Sequence, residues 1–337
     1  MAKNSIFNKP DEETLALLRR TADPNPQVAF AAQHELAQAL QLPLREGVLV
    51  GPITDGIFTP VDLKGADAEF PLDLLAPGEE DEFVAFTIPN HGKIPERHVE
   101  GDYVRVPDYA IANAIDWLLK YAQDARYDVV GRAMQVMEAG FTKKMNDDGW
   151  HTLLAAGADR NILAYDADAS AGQFTKRLVS IMKVLMARNA GGNSASIKQG
   201  KLTDLFLSPE ALEDIRNWGV DIVDEFTRRD IFLAADGSDK LTRLFGVNLH
   251  DIRELGEGQE YQTFFTAQLG GSLASTDVEL VVGLDLSSND SFVMPIKQEI
   301  QVFEDPSLHR QLRQGYYSWC RVGFASLDGR RIMLGSF

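Results

Sequence analysis

Six histidines and one cysteine are the side chains best suited to metal or nucleophilic chemistry in this chain. His91 and His98 stand seven apart in a loop-like stretch, with Glu96 and Glu100 near them. Zinc would need i, i+4 pairs on a helix, or cysteine partners, so both read as solvent-exposed groups. His151, His250 and His309 are isolated, and read as satisfied surface or core groups. Gly192…Gly200-Lys201 has the outline of a phosphate loop, but the glycines are too far apart. Leu202 also stands where a hydroxyl should meet magnesium. No Gly-x-Ser-x-Gly elbow occurs, and no Gly-x-Gly-x-x-Gly follows a strand. Arg228-Arg229 and Arg330-Arg331 are too short for a nucleic-acid footprint. Cys320 reads as a small buried hydrophobe. No catalytic, cofactor-binding or metal-binding constellation emerges, so no enzyme activity and no cofactor are expected.

The elements that would have to position such groups carry more information. The 337 residues suffice for two or three domains. Fifty acidic and 33 basic side chains leave a net charge of −17, which argues against a surface built to grip nucleic acid or anionic lipid. With Cys320 alone, an intrachain disulfide is impossible, and a reducing compartment fits. No apolar run reaches membrane length, and no signal-peptide core follows Met1, so a cytoplasmic protein without a membrane partner is expected.

Pro107–Gly157 is the axis. Asp108 stands as an N-cap candidate, and Ile111, Ile115, Leu118, Ala122, Tyr127, Val130, Met134, Met137, Phe141 and Met145 recur at steps of three and four. That spacing predicts one long helix or two in succession, with the methionines as packing groups. Residues 124–155 alone would span roughly 48 Å at the α-helical rise. Gly131, Gly140 and Gly149 each cost about 1 kcal/mol against alanine; each is either merely tolerated or marks a backbone crossing close by.

Residues 1–48 read as an arm. A helix over Asp11–Arg20 runs from acids to bases, Pro24 and Pro26 break it, and an alanine-rich helix over Gln27–Leu42 ends before Pro43. Such short helices need a surface to lie on. Residues 49–100 hold β-prone pieces between glycines and prolines, with the acidic run Glu79-Glu-Asp-Glu as a solvated turn; they predict a long projecting hairpin. A strand over 100–107 follows. Phe174–Leu185 predicts a helix and Leu202–Leu207 a strand. Ser208-Pro209-Glu210 opens a further helix with Ala211, Leu212, Ile215 and Trp218 inward. Helical Val220–Arg229 and strand-like Leu244–Val247 and Tyr261–Thr266 come next. The last third reads as β: Val278–Leu286, Phe292–Phe303 broken at Pro295, Tyr316–Ser326, then a hairpin turn at Asp328-Gly329 before Arg330–Leu334.

An arm, a projecting hairpin and an overlong helix are elements whose apolar faces other copies of the chain would cover. Their order resembles the major capsid protein of tailed bacteriophages, an α+β subunit with the Hong Kong 97-type fold. Leu202–Trp218, with its strand, Ser-Pro-Glu and helix, is similar to a segment of those subunits. Gln301-Val-Phe-Glu-Asp-Pro306, Tyr316–Ser326 and Asp328-Gly-Arg-Arg-Ile332 are similar to their C-terminal hairpin and last strand. The likeness covers most of the chain.

The resemblance implies an N-terminal arm (1–48), an extended β-hairpin loop (49–100), a peripheral domain with the spine helix (101–156 and 277–326), and an axial domain (157–276 and 327–337). It implies hexamers and pentamers in an icosahedral shell around double-stranded DNA, enclosed without specific binding, in a virion assembled in the host cytoplasm. Scaffolding, portal and decoration proteins are the implied partners. Only about fifty residues precede the hairpin, so a separate scaffolding protein and little or no N-terminal cleavage are expected. Lys64 and Asn289 are the candidate donor and acceptor for the founding member's covalent cross-link. Nothing adjacent activates either, and no cross-link is expected. The rival readings are an encapsulin-like nanocompartment shell and a soluble α/β enzyme with a diffuse site.

Overall fold

The computed structural model describes residues 12–49, 56–63, 67–71, 103–124, 126–189, 200–219, 243–274, 277–287 and 290–337. The described chain gathers into two compact units.

In the first unit, α1 (Glu12–Arg20) and α2 (Pro26–Leu49) form the arm and β1 (Thr59–Asp62) follows; β2 (Glu69–Pro71) pairs with β3 (Tyr103–Arg105), with Phe70, Pro71, Tyr103 and Val104 counted in the second unit. Next come β4 (Tyr109–Leu118), α3 (Leu119–Gln123) and the 33-residue helix α4 (Tyr127–Asp159). α4 counts with the first unit as far as Gly149 and with the second from Trp150. The sheet runs β1, β10 (Phe292–Asp305), β11 (Arg313–Val322), β4, with β1 parallel to β10 and the other pairs antiparallel. Met134, Met137, Phe141 and Met145 of α4 are all buried, and the Ser318 hydroxyl of β11 reaches the Met137 sulfur at 3.1 Å. The methionines are core, as their spacing required.

Two expectations fail at the start of this axis. Residues 109–118 are a strand, not the first turns of a helix, and Asp108 is no N-cap; it pairs with Arg321 at 2.6 Å and Lys297 at 3.6 Å. The physical reason lies in the alternation: Ile111 and Trp117 are buried while Ala110, Ala112, Ala114, Asp116 and Leu118 are exposed. Alanines on the outer side carry little β signal, so Ile111, Ile115 and Leu118 read as a helical stripe. Ten continuous pairs with β11 settle the matter.

The arm also differs. α2 runs through Pro43 to Leu49, and both helices lie on their own chain. Leu18, Ala32, Leu36, Ala37 and Leu44 are buried. Thr21 bonds Gln314 at 3.3 Å, Gln314 donates to the Tyr316 hydroxyl at 2.9 Å, and Gln33 donates to the Thr21 carbonyl at 3.1 Å. Within the chain, α1 packs on α2 and α3, and the arm is tied to β11 through Gln314 and to β10 through Gln41, which donates to the Ile300 carbonyl at 3.3 Å. β10 likewise continues through Pro295. The proline sits beside β1 just before the register shifts with β11, and its carbonyl still accepts from Gly323.

The second unit, in which β12 (Ala325–Ser326) precedes the last strand, holds a six-stranded sheet in the order β5 (Leu163–Ala164), β13 (Ile332–Ser336), β9 (Leu280–Leu284), β6 (Asp204–Leu207), β8 (Val247–Asp251), β7 (Arg243–Leu244). α5 (Lys176–Asn189) buries Leu178, Val179, Met182 and Met186 among Leu205, Leu207, Val281 and Met333. α6 (Pro209–Asn217) opens as its sequence required: the Ser208 hydroxyl accepts from the Ala211 N–H, Pro209 follows, and Ala211 and Ile215 are buried. β9 pairs with β6 and β13, so 280–284 sits in this sheet and not with β10, where the sequence reading had grouped it.

Tyr261–Thr266 is helical, a short turn at Glu260–Thr263 passing into a π-turn at Phe264–Gln268. Its aromatic residues pack on Trp150 and His151 instead of on a strand neighbour. Asp328-Gly329 makes no hairpin. The Asp328 carboxylate caps a 3-10 turn, and the next strand, β13, pairs with β9 and β5. The helix expected over 220–229 and the hairpin over 72–102 lie outside the described residues.

Candidate functional site

The groups that could do chemistry are each occupied by structural partners. His151 stacks on Phe264 with centroids 3.8 Å apart. His250 sits 2.8 Å from Asp204 and stacks on Phe206. Burial would raise the Asp204 carboxyl, but hydrogen bonds from His250, Thr203 and Asn248 outweigh it, and the net direction is downward. Burial pushes the Cys320 thiol up to about 12, so it stays protonated at neutral pH and is no nucleophile. Tyr109 is raised by burial and by the Asp148 carboxylate, which its hydroxyl meets at 2.9 Å. Beneath Cys320, a hollow of about 20 Å3 between Met145, Met294, Ile300 and Val322 has room for one water and for no ligand. His91, His98, Lys64 and Asn289 lie outside the described residues, as does the side chain of His309.

Among the described residues of the first unit, geometry concentrates elsewhere. Five charged side chains form a ladder: Arg105 with Asp67 at 3.0 Å, Lys297 with Asp67 at 3.4 Å, Lys297 with Asp108 at 3.6 Å, and Arg321 with Asp108 at 2.6 Å. It ties Asp67 and Arg105, which flank the segment 72–102, to β10 and β11. Single exposed pairs of this kind contribute little, and a network contributes more. Nothing in the sequence flags it, because its members are separated by up to 254 positions, from Asp67 to Arg321.

The second concentration is the sheet's outer side. Pairing sets Ala110, Ala112 and Ala114 of β4 opposite Arg321, Trp319 and Tyr317 of β11, with Phe303 of β10 stacked on Tyr317 at 5.4 Å. Tyr317 is 42 % exposed and Leu118 47 % exposed. A contiguous apolar patch of this kind marks a contact surface more often than isolated exposed residues do. Such an arrangement can bind a flat partner.

No known family's sequence profile matches the chain, and no curated protein matches it by sequence. Solved structures do. The capsid of Myoviridae phage XM1 is 12% identical with a TM-score of 0.52, covering 85% of this chain and 91% of its own. The capsid of cyanophage Pam1 is 14% identical with a TM-score of 0.55, covering 83% and 88%. A chain from Microbacterium phage Oxtober96 is 11% identical with a TM-score of 0.57, covering 85% and 90%. The fold is that of phage major capsid proteins, a mixed α+β architecture, as the order of parts in the sequence implied.

Proposed function

We propose that this chain is the structural subunit of an icosahedral viral capsid, self-assembling into hexamers and pentamers that enclose double-stranded DNA. The observation that carries the reading is a whole-chain likeness to phage capsids, over 83% to 85% of its length. It extends well beyond one domain. The outer sheet face supports a subunit that works by contact.

In this reading, 49–100 is the extended loop reaching a neighbouring copy, with its base held by the Asp67–Arg105 and Lys297 pairs. The first unit serves as the peripheral domain with its spine helix α4. The second serves as the axial domain around the capsomer centre, with β9 included. Scaffolding, portal and decoration proteins are the expected companions, in a virion assembled in the host cytoplasm.

Negative-stain microscopy of the full chain, expressed alone and with its neighbouring genes, tests the proposal. Closed shells or capsomer rings are the expected result. A chain that elutes as a monomer under every condition would overturn it. Shells filled with an enzyme instead of DNA would transfer the reading to a nanocompartment.

A further inference from the structure

β4 closes its sheet at one end: among the described residues it pairs with β11 along ten positions and with nothing on its other side. Long, flat, apolar edges are templates for another strand, and proteins usually blunt them with charges, prolines or bulges. Tyr109-Ala-Ile-Ala-Asn-Ala-Ile-Asp-Trp-Leu118 has no proline, its register with β11 has no bulge, and its one charge is Asp116. That charge is already matched within the chain by Arg313 at 2.8 Å.

The ladder's parity tells which backbone groups face the open side. Leu119 donates to the Leu312 carbonyl, in register with the Leu118–Arg313 pair. Odd positions of β4 therefore bond β11, and Ala110, Ala112, Ala114, Asp116 and Leu118 turn their N–H and C=O outward. These same residues are the exposed ones.

We propose that this edge is a two-fold contact in which a second copy of the chain adds its own β4 antiparallel, with the dyad on Ala114. The inference deepens the capsid reading and rests on it, naming one contact of the shell. The occupant follows from the capsid reading, in which the neighbours of each subunit are copies of it. An isologous contact centred on Ala114 pairs Ala110 with Leu118, Ala112 with Asp116, and Ala114 with itself, so that neither Asp116 faces its own copy. No outward N–H or C=O of β4 is then left unpaired; the centre of the contact carries only alanines, and Asp116, matched by its own Arg313, and Leu118 meet Ala112 and Ala110 of the copy.

Space allows it. Met137 meets Ser318 on β11, and Met145 lies by Cys320 and Met294, so α4 runs beneath β10 and β11. With strands about 4.8 Å apart, α4 and its copy would lie roughly two spacings apart at Met137–Gly140, which sits between Ser318 of β11 and Asn113 of β4, an ordinary helix contact, and would diverge toward Met145. Val136, 59 % exposed, stands one turn before Gly140, which faces Asn113 of β4. It would help to fill that contact.

Ala114→Cys in the full chain tests the contact directly. Directly opposed residues of a hydrogen-bonded pair have Cα atoms about 5.5 Å apart, within disulfide range. The native Cys320, 1 % exposed, stays silent. Under mild oxidation of assembled particles, most of the Ala114→Cys chain should run as a dimer on a non-reducing gel. Ala112→Pro, or Ala112→Lys if the proline variant does not fold, should lower that yield at least tenfold. Normal shells without the cross-link overturn the β4 contact and leave the capsid reading standing. Cross-linked dimers that never form shells do the reverse. A chain that is monomeric and not cross-linked at any concentration overturns both.

Discussion

Glu279 is the side chain whose surroundings fit its charge least. It is 5 % exposed, and burial raises its carboxyl above the ordinary 4.5; the Ser208 hydroxyl bond opposes that, and Glu210, Asp214 and Glu257 add to it. A carboxyl raised on folding binds its proton more tightly in the native state. Its contribution is therefore fully present below the unfolded value and lost as pH rises through the folded one. Glu279→Gln keeps an acceptor for Ser208 and removes the charge. At pH 7 the variant should be more stable than the parent, and the fall in stability above pH 4.5 should flatten. Urea titrations from pH 4 to 8 would check this; equal slopes in both proteins would refute it. Ser208 itself was readable from the sequence, since cap, proline and acid stand in consecutive positions. Glu279 was not, because its partners come from distant parts of the chain.

The helix glycines belong to the scale of elements. A Cβ on Gly140 would lie 2.7 Å from the Asn113 amide nitrogen, and one on Gly149 would lie 3.1 Å from the Phe58 ring. At both places a side chain makes the close approach, not a second backbone, so neither sequence reading was complete. Asn113 donates to the Met137 carbonyl at 3.4 Å, a long bond that an added methyl would displace. Gly140→Ala gains about 1 kcal/mol of helix propensity and loses roughly as much in that contact, so the single change should be close to neutral. In an Asn113→Ala background the same change should stabilise by about 1 kcal/mol. The double-mutant cycle by chemical denaturation isolates that coupling, and additive effects would contradict it. Helices with strong local signals, α1, α5 and α6, were legible. β4 was not, because alanines on its exposed side hid a period of two. The hairpin expected at Asp328-Gly329 failed for a related reason: a turn signal states where the chain bends, not which strand it then meets.

For the whole molecule, the sequence showed that helices 12–20 and 26–49 have a face to bury, and long-range packing chose what covers it. Thr21, Gln33, Gln314 and Tyr316 form a polar contact inside one chain, which ties the arm to its own β11. Leu118 and Tyr317 on the first unit's outer sheet face, with Val136 of α4, are among the exposed apolar side chains left for assembly. Charge sets the remaining requirement. A duplex carries one negative charge per about 1.7 Å of axis, and a subunit at −17 repels it at long range unless its cations cluster. Arg105, Lys297 and Arg321, the grouped bases of the first unit, are paired with Asp67 and Asp108, and Arg331 is paired with Asp285 at 2.8 Å. In the capsid reading, such a wall would hold DNA by enclosure and leave it free to slide. The purified subunit should therefore show no measurable shift in the fluorescence anisotropy of a labelled 20-base-pair duplex (a length of about two helical turns) even at low salt. Nanomolar binding that weakens steeply with added salt would mean that a basic face exists after all, and the chain would then grip its contents instead of containing them.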